Sequence, residues 1–338
     1  MFYVGLDIHT RHITICVLDD NGQVFQRCQV RQLDELMSFL ERLPGPWQVC
    51  YEASTGYGMY FEVLSEVADH VAVAHPGLLK LIFRSKHKND RRDALKLAKL
   101  LYLGEVPRVH VPSADVRAWR ELITFRRKLV EKRTRAKNGI RGLLRSLGIQ
   151  APKKPGLWTR AGMAWLGQLG FDNSMHALKR DLLVDEIDRL SLQLRRVEQE
   201  LERYSANSVA VQLLRSIPGV GPRTAEAVAA FIDDPHRFPN SKCVGAYFGL
   251  VPSQDQSGNV NRLGHITREG SATVRQLLCE AVWQAASRSP TIGAYLERVQ
   301  RGEADRKKIA VVATAHYLIR VMWSMLKHGT LWEEAVAA

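Results

Sequence analysis

The chain has 338 residues, of which 46% are hydrophobic and 25% are charged, and its formal net charge is +13 at pH 7. This length predicts two or three domains with sizeable cores, and the composition is typical of soluble globular proteins. No apolar run approaches the roughly 18 residues of a membrane span, and the N-terminus lacks a basic signal region, so we expect a cytosolic protein.

The cysteines carry no sign of metal or disulfide chemistry. They show no C-x-x-C spacing, which argues against both a zinc ribbon and a disulfide framework. We therefore expect small, buried apolar residues at Cys16, Cys28, Cys50, Cys243 and Cys279.

The N-terminal sequence predicts an α/β domain. The β-rich runs YVGLD, ITICVLDD and QVFQRCQV come first, and the DDNG between the second and third is a strong hairpin-turn signal. An apolar helical repeat from Leu33 to Leu43, a strand WQVCYE, a helix at about 58–68 and a strand HVAVAHP follow. Three hairpin-connected strands and then alternating strand and helix are the order of an RNase H-like, or RuvC-like, α/β fold.

Four carboxylates in this region are candidates for a metal site. Asp7 ends the first predicted strand and Glu52 ends the fourth, and these strands are neighbours in an RNase H-like sheet. Asp90 and Asp93 follow near the start of a helix, where an i,i+3 pair points to one face. Four converging carboxylates require a cation, and such oxygen ligands suit Mg²⁺ or Mn²⁺, two of which can clamp a phosphodiester. Taken singly, each residue could instead cap a turn or a helix N-terminus.

Positive charge is concentrated between residues 84 and 145, where 19 lysines and arginines stand against 6 acidic residues. This local excess equals the net charge of the whole chain. It predicts a polyanionic partner, most simply nucleic acid, held through counterion release, whereas the alternative is a solvated helix face without a partner. The candidate contacts are Arg91, Arg92, Arg126, Arg127, Lys128, Lys132 and Arg133.

Long helices are predicted for the middle of the chain. Residues 113–147 interleave apolar and basic side chains, and GIQAPKKPG then breaks the helix. From Leu183 to Tyr204, apolar residues recur at alternating steps of four and three, with charged residues between them. This stripe is either a coiled coil, which makes the protein an oligomer if it pairs between chains, or a helix packed on its own domain.

The C-terminal region opens with IPGVGPRTA. Two glycines, Gly219 and Gly221, in a tight turn that feeds a helix can present backbone N–H groups to a phosphate, with Arg223 beside them. Such an element grips a nucleic-acid backbone without reading bases. The alternative is a simple corner between two helices.

A Gly-rich loop in residues 249–278 holds three candidate nucleophiles, Ser253, Ser257 and Ser271. Serine attack on a phosphate needs exposure and nearby cations. Ser271 directly precedes an apolar helical pattern and is better explained as an N-cap. Ser257 is the better candidate because it lies on the Gly-rich loop itself, and Ser253 still competes for the role. The surrounding cationic side chains are Arg262, His265, Arg268 and Arg275. Helices at about 271–287 and 304–327 close the chain.

Together, the motifs resemble the DEDD transposases of bacterial insertion sequences, the insertion-sequence one-ten family. The resemblance rests on YVGLDIHTRHITICVLDDNG, CYEASTGYG, KNDRRDALKLAKLL, IPGVGPRTA and RFPNSKCVGAYFGLVPSQDQSGNVNRLGHITREG, and it runs nearly end to end. That family is related to site-specific DNA invertases and includes the bridge-RNA-guided recombinases. The resemblance implies a RuvC-like DEDD domain at 1–112, basic helices and a coiled coil at 113–206, and a mostly α-helical transposase domain at 207–338.

The resemblance also implies a chemistry that depends on Mg²⁺ or Mn²⁺. The metal ligands it implies are Asp7, Glu52, Asp90 and Asp93. It places the nucleophile on Ser257, in the Ser-Gly pair that follows GLVP, and Arg268 stands where lysine is common. The implied reaction is cleavage and rejoining of donor and target DNA through a phosphoserine link, guided by a structured bridge RNA, in a homo-oligomer of the bacterial cytoplasm. Because Asp7 and Ser257 belong to different predicted domains, we expect a composite site.

Other functions compete with this one. A sugar kinase-like or actin-like ATPase also opens with a sequence such as GLDIHT, but it needs a second phosphate-binding loop near mid-chain, where this chain is helical and basic. A RuvC-like metal-dependent nuclease would have no role for Ser257. The third alternative is a non-catalytic RNA-binding scaffold.

Overall fold

The computed structural model describes residues 1–83, 90–154, 156–257 and 260–334, together with the backbone but not the side chain of Ser257. The chain divides into two compact units, Met1–Ala114 and Asp115–Ala338. The further boundary expected between residues 206 and 207 stays a prediction.

The N-terminal unit is built on a five-stranded sheet with the order β3-β2-β1-β4-β5. Strands β1 to β3 pair antiparallel, and β4 and β5 run parallel to β1. The strands are β1 (Phe2–Ile8), β2 (Ile13–Leu18), β3 (Val24–Val30), β4 (Trp47–Glu52) and β5 (His70–Ala74). The helices are α1 (Leu33–Leu40), α2 (Tyr57–Ser65), α3 (Pro76–Ile82) and α4 (Asp90–Tyr102). The predicted mixed α/β sheet is thus confirmed, and its RuvC-like identity stays a prediction.

Alternation along β1 divides the core of this unit between the two faces of the sheet. Val4 and Leu6 are fully buried in the cluster that includes side chains of α1 and α2. Gly5 faces α4 instead, and a Cβ there would overlap the backbone of Ala94 and Ala98. Only glycine allows this close approach, so α4 lies directly against β1 with its first turn near the end of that strand.

The second unit is mostly helical. Its helices are α5 (Ala114–Ser146), α6 (Arg160–Gln168), α7 (Ser174–Ser205), α8 (Val209–Arg215), α9 (Pro222–Ile232), α10 (Ser241–Tyr247), α11 (Ala272–Ala286), α12 (Pro290–Gln300) and α13 (Lys307–His328). An antiparallel hairpin of β6 (Pro252–Ser257) and β7 (Val260–Ile266) stands where a Gly-rich loop was expected. That expectation was wrong because the described side chains of both strands are almost all exposed, so no hydrophobic alternation marks them.

The apolar stripe of α7 packs against α5 within the same chain. Leu190 and Leu194 share a buried cluster with Leu129, whereas Leu201, further toward the C-terminal end of the stripe, shares a cluster with Ile123. The contacts run in opposite chain directions, so α5 and α7 form an antiparallel pair. The stripe is therefore the seam of an intramolecular helical pair, and it supplies no argument for association between chains.

Helix α13 corrects the expectation that no apolar segment approaches the length of a membrane span. Residues Ala304–His328 are long and apolar enough to cross a membrane. Half of the most apolar part of this segment is buried, and Leu318, Ile319 and Met322 are fully buried in the core of the second unit. A core helix passes the same length and composition test, so this helix is weak evidence for a membrane span.

The cysteines are all free thiols. Cys16 and Cys50 are buried, and Cys28, Cys243 and Cys279 are half-buried. Burial raises the pKa of the Cys50 thiol to about 12, which keeps that thiol protonated and unreactive at neutral pH.

The packing of α7 generates a first prediction. Replacing Leu190, 2% exposed, with alanine should lower the free energy of unfolding by about 2–5 kcal/mol, because it leaves a cavity against α5. The matched control is Leu192→Ala on the same helix, where the side chain is 53% exposed and the change should be within about 0.5 kcal/mol. Urea unfolding measures both variants. A melting temperature of the Leu190→Ala protein that recovers as protein concentration rises would contradict the intramolecular seam.

Candidate functional site

Asp7 and Glu52 lie at the same end of two neighbouring strands. The parallel pairing of β1 with β4 runs to Leu6 and Tyr51, and Asp7 and Glu52 are the next residues. Both lie two positions beyond residues that face α4, so they share that face of the sheet. The Asp7 side chain is 16% exposed, whereas Glu52 is exposed.

Asp90 and Asp93 occupy the first turn of α4. There the unpaired N–H groups and the helix dipole favour negative charge. Asp93 Oδ1 accepts a hydrogen bond from Lys96 Nζ at 2.8 Å. The close packing of α4 on β1 thus brings a second pair of carboxylates to the face that carries Asp7.

Two histidines that the sequence analysis did not select join this group. His9 Nε2 lies 3.1 Å from Asp7 Oδ2 and 3.5 Å from Asp90 Oδ1, and His12 Nε2 lies 3.0 Å from Asp90 Oδ2. Among the described residues, His9, His12 and Asp90 offer ligand atoms that all lie within 4.8 Å of one another. Of the four predicted carboxylate ligands, Asp7, Glu52 and Asp93 are outside that set. The signal was present as DIHTRH, in which both histidines follow the strand-end aspartate.

The pKa values of Asp7 and Asp90, the two aspartates that the histidines contact, are shifted in opposite directions. Burial raises the pKa of Asp7 above its ordinary value, the nearby His9 opposes this, and the charges of Asp90 and Asp93 add to it. The hydrogen bond with His12 lowers the pKa of Asp90 below its ordinary value. The negative charge of Asp7 is therefore incompletely compensated by its protein neighbours.

The residues on this face fit a divalent cation. Carboxylate oxygens are the ligands that Mg²⁺ and Mn²⁺ take, and a cation would offset the burial and repulsion that act on Asp7. The hydroxyl of Thr14, which pairs with Asp7 across β1 and β2, is buried without a hydrogen-bond partner among the described residues. An unsatisfied buried hydroxyl beside an under-compensated carboxylate indicates a place for a polar ligand.

Gly219 and Gly221, between α8 and α9, are glycines for different structural reasons. Gly219 has a positive φ of 86°, and a Cβ there would overlap the backbone of Gln284 and Ala285 in α11, so packing alone requires it. Gly221 caps α9, and a Cβ there would meet open space. Only the second glycine leaves the helix start approachable by a phosphate.

Arg223 is engaged within the protein. Its guanidinium donates to Glu226 Oε2 at 3.0 Å and to the Glu198 carbonyl at 3.3 Å. Glu226 is fully buried and also accepts from the Ser205 hydroxyl at 2.8 Å. This arrangement gives Arg223 a structural role whether or not it contacts nucleic acid.

The basic residues of α5 fall into two groups. Arg126 pairs with Glu198 on α7, and Arg127 pairs with Glu131. Arg133 lies at hydrogen-bond distance from Ser191, at 3.5 Å. The exposed candidates here and on α4 are Lys128, Lys132, Arg91 and Arg92. Residues 84–89, at the start of the basic stretch, lie outside the described residues.

The β6–β7 hairpin carries two of the three serines. Ser257 ends β6 and pairs with Val260, next to residues 258–259, which lie outside the described residues. Ser253 is exposed on the same strand. Ser271 is the N-cap of α11, where its hydroxyl accepts from the Val274 N–H at 3.4 Å, as predicted. The choice of Ser257 as nucleophile stays a prediction.

Of the four cationic side chains predicted around this loop, the two assigned to nucleic-acid binding, Arg262 and Arg268, are both exposed. Arg262 lies on β7, and Arg268 follows the hairpin. Arg268 has a φ of 58°, in the left-handed region that a non-glycine residue adopts at some cost. Their assignment to nucleic-acid binding stays a prediction.

Comparisons with known proteins point to one family. A profile for DEDD transposases of the IS110 type matches residues 4–149, and a profile described as "Transposase IS116/IS110/IS902 family" matches residues 211–297. A "Probable family 20 transposase" of Pseudomonas aeruginosa is 27% identical, over 97% of this chain and 98% of its own length. The "Transposase for insertion sequence element IS1328" of Yersinia enterocolitica is 26% identical over 98% of each chain. The corresponding protein of element IS1111A of Coxiella burnetii is 27% identical, over 81% of this chain and 75% of its own length.

The buried ion pair of Arg223 and Glu226 generates a second prediction. Arg223→Ala should cost about 3–5 kcal/mol of unfolding free energy, because it leaves the Glu226 carboxylate, 1% exposed, without its cation. Burial already raises the pKa of Glu226, and losing Arg223 raises it further, so the loss should grow as pH rises from acid to neutral. Urea unfolding at several pH values measures this. The exposed Arg262→Ala is the control, with a change within about 0.5 kcal/mol, and unchanged stability of Arg223→Ala would contradict the structural role.

Proposed function

From the premise that this chain is an IS110/IS116-family DEDD transposase, which both family profiles and the full-length relatives support, we propose that it cleaves donor and target DNA and rejoins the strands. The observation that carries the proposal is the shared α4 face of the sheet. It holds Asp7, Asp90 and Asp93 together, with Glu52 at the end of the adjacent strand.

The four carboxylates are the residues we propose as ligands of Mg²⁺ or Mn²⁺. When bound, such an ion neutralises negative charge on the scissile phosphate and lowers the cost of deprotonating a nucleophile. Asp7 fits this role because its charge is buried beside two like charges. Lys96, which holds Asp93 at 2.8 Å, positions that carboxylate.

Ser257 is the proposed nucleophile. Its Oγ attacks phosphorus and gives up its proton, a serine–phosphate ester bond forms, and the phosphorus–oxygen bond to deoxyribose breaks and releases a hydroxyl. The reverse attack by a hydroxyl of the other DNA rejoins the strands, and the phosphodiester energy is conserved without ATP. The position of Ser257 at the end of an exposed strand, with Arg262 on the paired strand, supports this role.

A structured RNA is the proposed guide. Recognition of both DNAs by pairing with a bridge RNA would leave the protein to hold backbones, which needs cations and few base contacts. Exposed side chains such as Lys128 and Lys132 on α5 support this division. A homo-oligomer acting in the bacterial cytoplasm belongs to the same proposal.

The second candidate function is a RuvC-like metal-dependent nuclease. The observation that favours it is that the carboxylate face lies wholly within the N-terminal unit. A nuclease that uses water as its nucleophile needs no residue of the hairpin, so the two functions differ in their dependence on Ser257.

A third prediction therefore concerns the serine. With guide RNA and both DNAs supplied, Ser257→Ala should abolish the covalent protein–DNA adduct and recombination, because the attacking oxygen is removed. Denaturing gel electrophoresis of labelled DNA detects the adduct. Ser253→Ala on the same strand is the matched control and should retain it. DNA cleavage that continues at the wild-type rate in Ser257→Ala would favour the nuclease.

A fourth prediction concerns the carboxylates. Asp93→Asn should reduce recombination by at least about 100-fold, because it removes a charged metal ligand, while RNA binding measured by gel shift stays within about twofold. Neutralising Lys128 and Lys132 together should weaken RNA binding and make it less dependent on salt, and recombination should fall with it because less guide is bound. If Asp93→Asn loses RNA binding, the proposed separation of metal and backbone contacts is wrong.

A further inference from the structure

We propose that His9 and His12 are metal ligands in their own right, so that the centre contains a nitrogen-donor position that selects Mn²⁺, Co²⁺ or Zn²⁺ over Mg²⁺. The inference rests on the proposed function only in that the carboxylate face binds metal. It adds two ligands to that face and names the class of cation that they prefer.

The backbone places both histidines on the carboxylate face. The His9 N–H donates to the His12 carbonyl at 2.9 Å, which closes a two-residue turn between β1 and β2. Asp7 pairs with Thr14 in the same ladder, so His9 and His12, two residues further toward the turn, point to the same side as this pair. This side is the one that α4 covers, and Asp90 begins that helix. Three separate elements therefore converge on one point.

The donor atoms already have separations that suit one ion. Ligands about 2.1 Å from a metal lie about 3.0–3.4 Å apart in octahedral or tetrahedral geometry. His12 Nε2 and His9 Nε2 lie 3.0 and 3.5 Å from the two oxygens of Asp90. All three residues offer donor atoms within 4.8 Å of one another.

The same geometry has a simpler explanation, in which the two imidazoles only hydrogen-bond the carboxylates. That explanation accounts for the contacts of His12 with Asp90 and of His9 with Asp7. It gives no reason for both Nε2 atoms to converge on one carboxylate. Nor does it explain the Thr14 hydroxyl opposite Asp7, which is buried without a hydrogen-bond partner in the part of the chain that the structure describes. A bound ion and its water ligands account for both features.

Ligand chemistry sets the expected selectivity. Mg²⁺ takes oxygen ligands and keeps several waters, whereas imidazole nitrogen suits Mn²⁺, Co²⁺ and Zn²⁺. If only carboxylates bound metal here, the histidines would act through their hydrogen bonds to the carboxylates and would change the affinity for both classes of ion alike. The difference between the two classes of ion is therefore the quantity to measure.

The test uses metal binding to the full-length protein without DNA or RNA. Isothermal titration with Mn²⁺, Co²⁺ and Mg²⁺ is performed on the wild type, His9→Gln and His12→Gln. Each variant should lose at least about tenfold in affinity for Mn²⁺ and Co²⁺ while Mg²⁺ binding changes by less than about threefold. The matched control is His236→Gln, which removes an exposed imidazole that also pairs with an aspartate, in the other unit.

A direct measurement protects the test against variants that fail to fold. Pulsed electron paramagnetic resonance of Mn²⁺ bound to the wild-type protein should show coupling to imidazole ¹⁴N, and its absence would overturn the proposal. Equal Mn²⁺ affinity in wild type and both histidine variants would overturn it as well. Because Asp7→Asn is titrated in parallel, the outcomes are separable. Loss of all metal binding in Asp7→Asn but not in the histidine variants rejects the nitrogen ligands and keeps the carboxylate centre.

Discussion

The contact between α4 and β1 at Gly5 is the constraint on which the N-terminal unit depends. Because a side chain at this position would overlap the backbone of Ala94 and Ala98, the helix can approach the strand only where glycine stands. The contact sets the depth of α4 on the sheet, and with it the position of Asp90 relative to Asp7 and His9. Gly5, which has no side chain, thus determines how the charged side chains of this site are placed.

This close packing has an electrostatic cost. It brings like charges together at a partly buried place, and burial and repulsion both raise the pKa of Asp7. The imidazole of His9 and the ammonium of Lys96 offset part of that repulsion. A site with buried, mutually repelling carboxylates favours binding of a cation. The repulsion that destabilises the fold without a ligand therefore contributes to the affinity for that cation.

The strands and helices that carry a regular apolar pattern could be predicted from the sequence. The strands that became β1, β2 and β4 alternate or run apolar, and α5 was predicted at 113–147 and observed at Ala114–Ser146. Residues 252–266 were missed because their exposed strands leave no period-two signal. The predicted carboxylate face could be inferred because strand ends and an i,i+3 pair are visible in one dimension. The motif DIHTRH shows that two histidines follow Asp7, but it does not show their partners. Only the register of the turn sets the histidines opposite each other, and only packing sets them opposite Asp90.

Long-range partners were likewise hidden from the sequence. The stripe on α7 showed that an apolar surface would be covered, but the identity of its cover, α5, depends on how the intervening residues fold back. The same limit applies in part to Arg223. Its pair with Glu226 is a local i,i+3 contact on α9, but the Glu198 carbonyl becomes its neighbour only in the folded unit.

The length of α5 has a consequence for scale. Its 33 residues form a rod of about 50 Å at 1.5 Å per residue, which α7 braces along much of its course. Duplex DNA rises 3.4 Å per base pair, so this rod equals about 15 base pairs in length. Its exposed cations are Lys128, Lys132, Arg135, Arg141 and Arg145. Because these charges all belong to one stiff helix that α7 supports, the distances between them are fixed by the helix and do not depend on loop conformation.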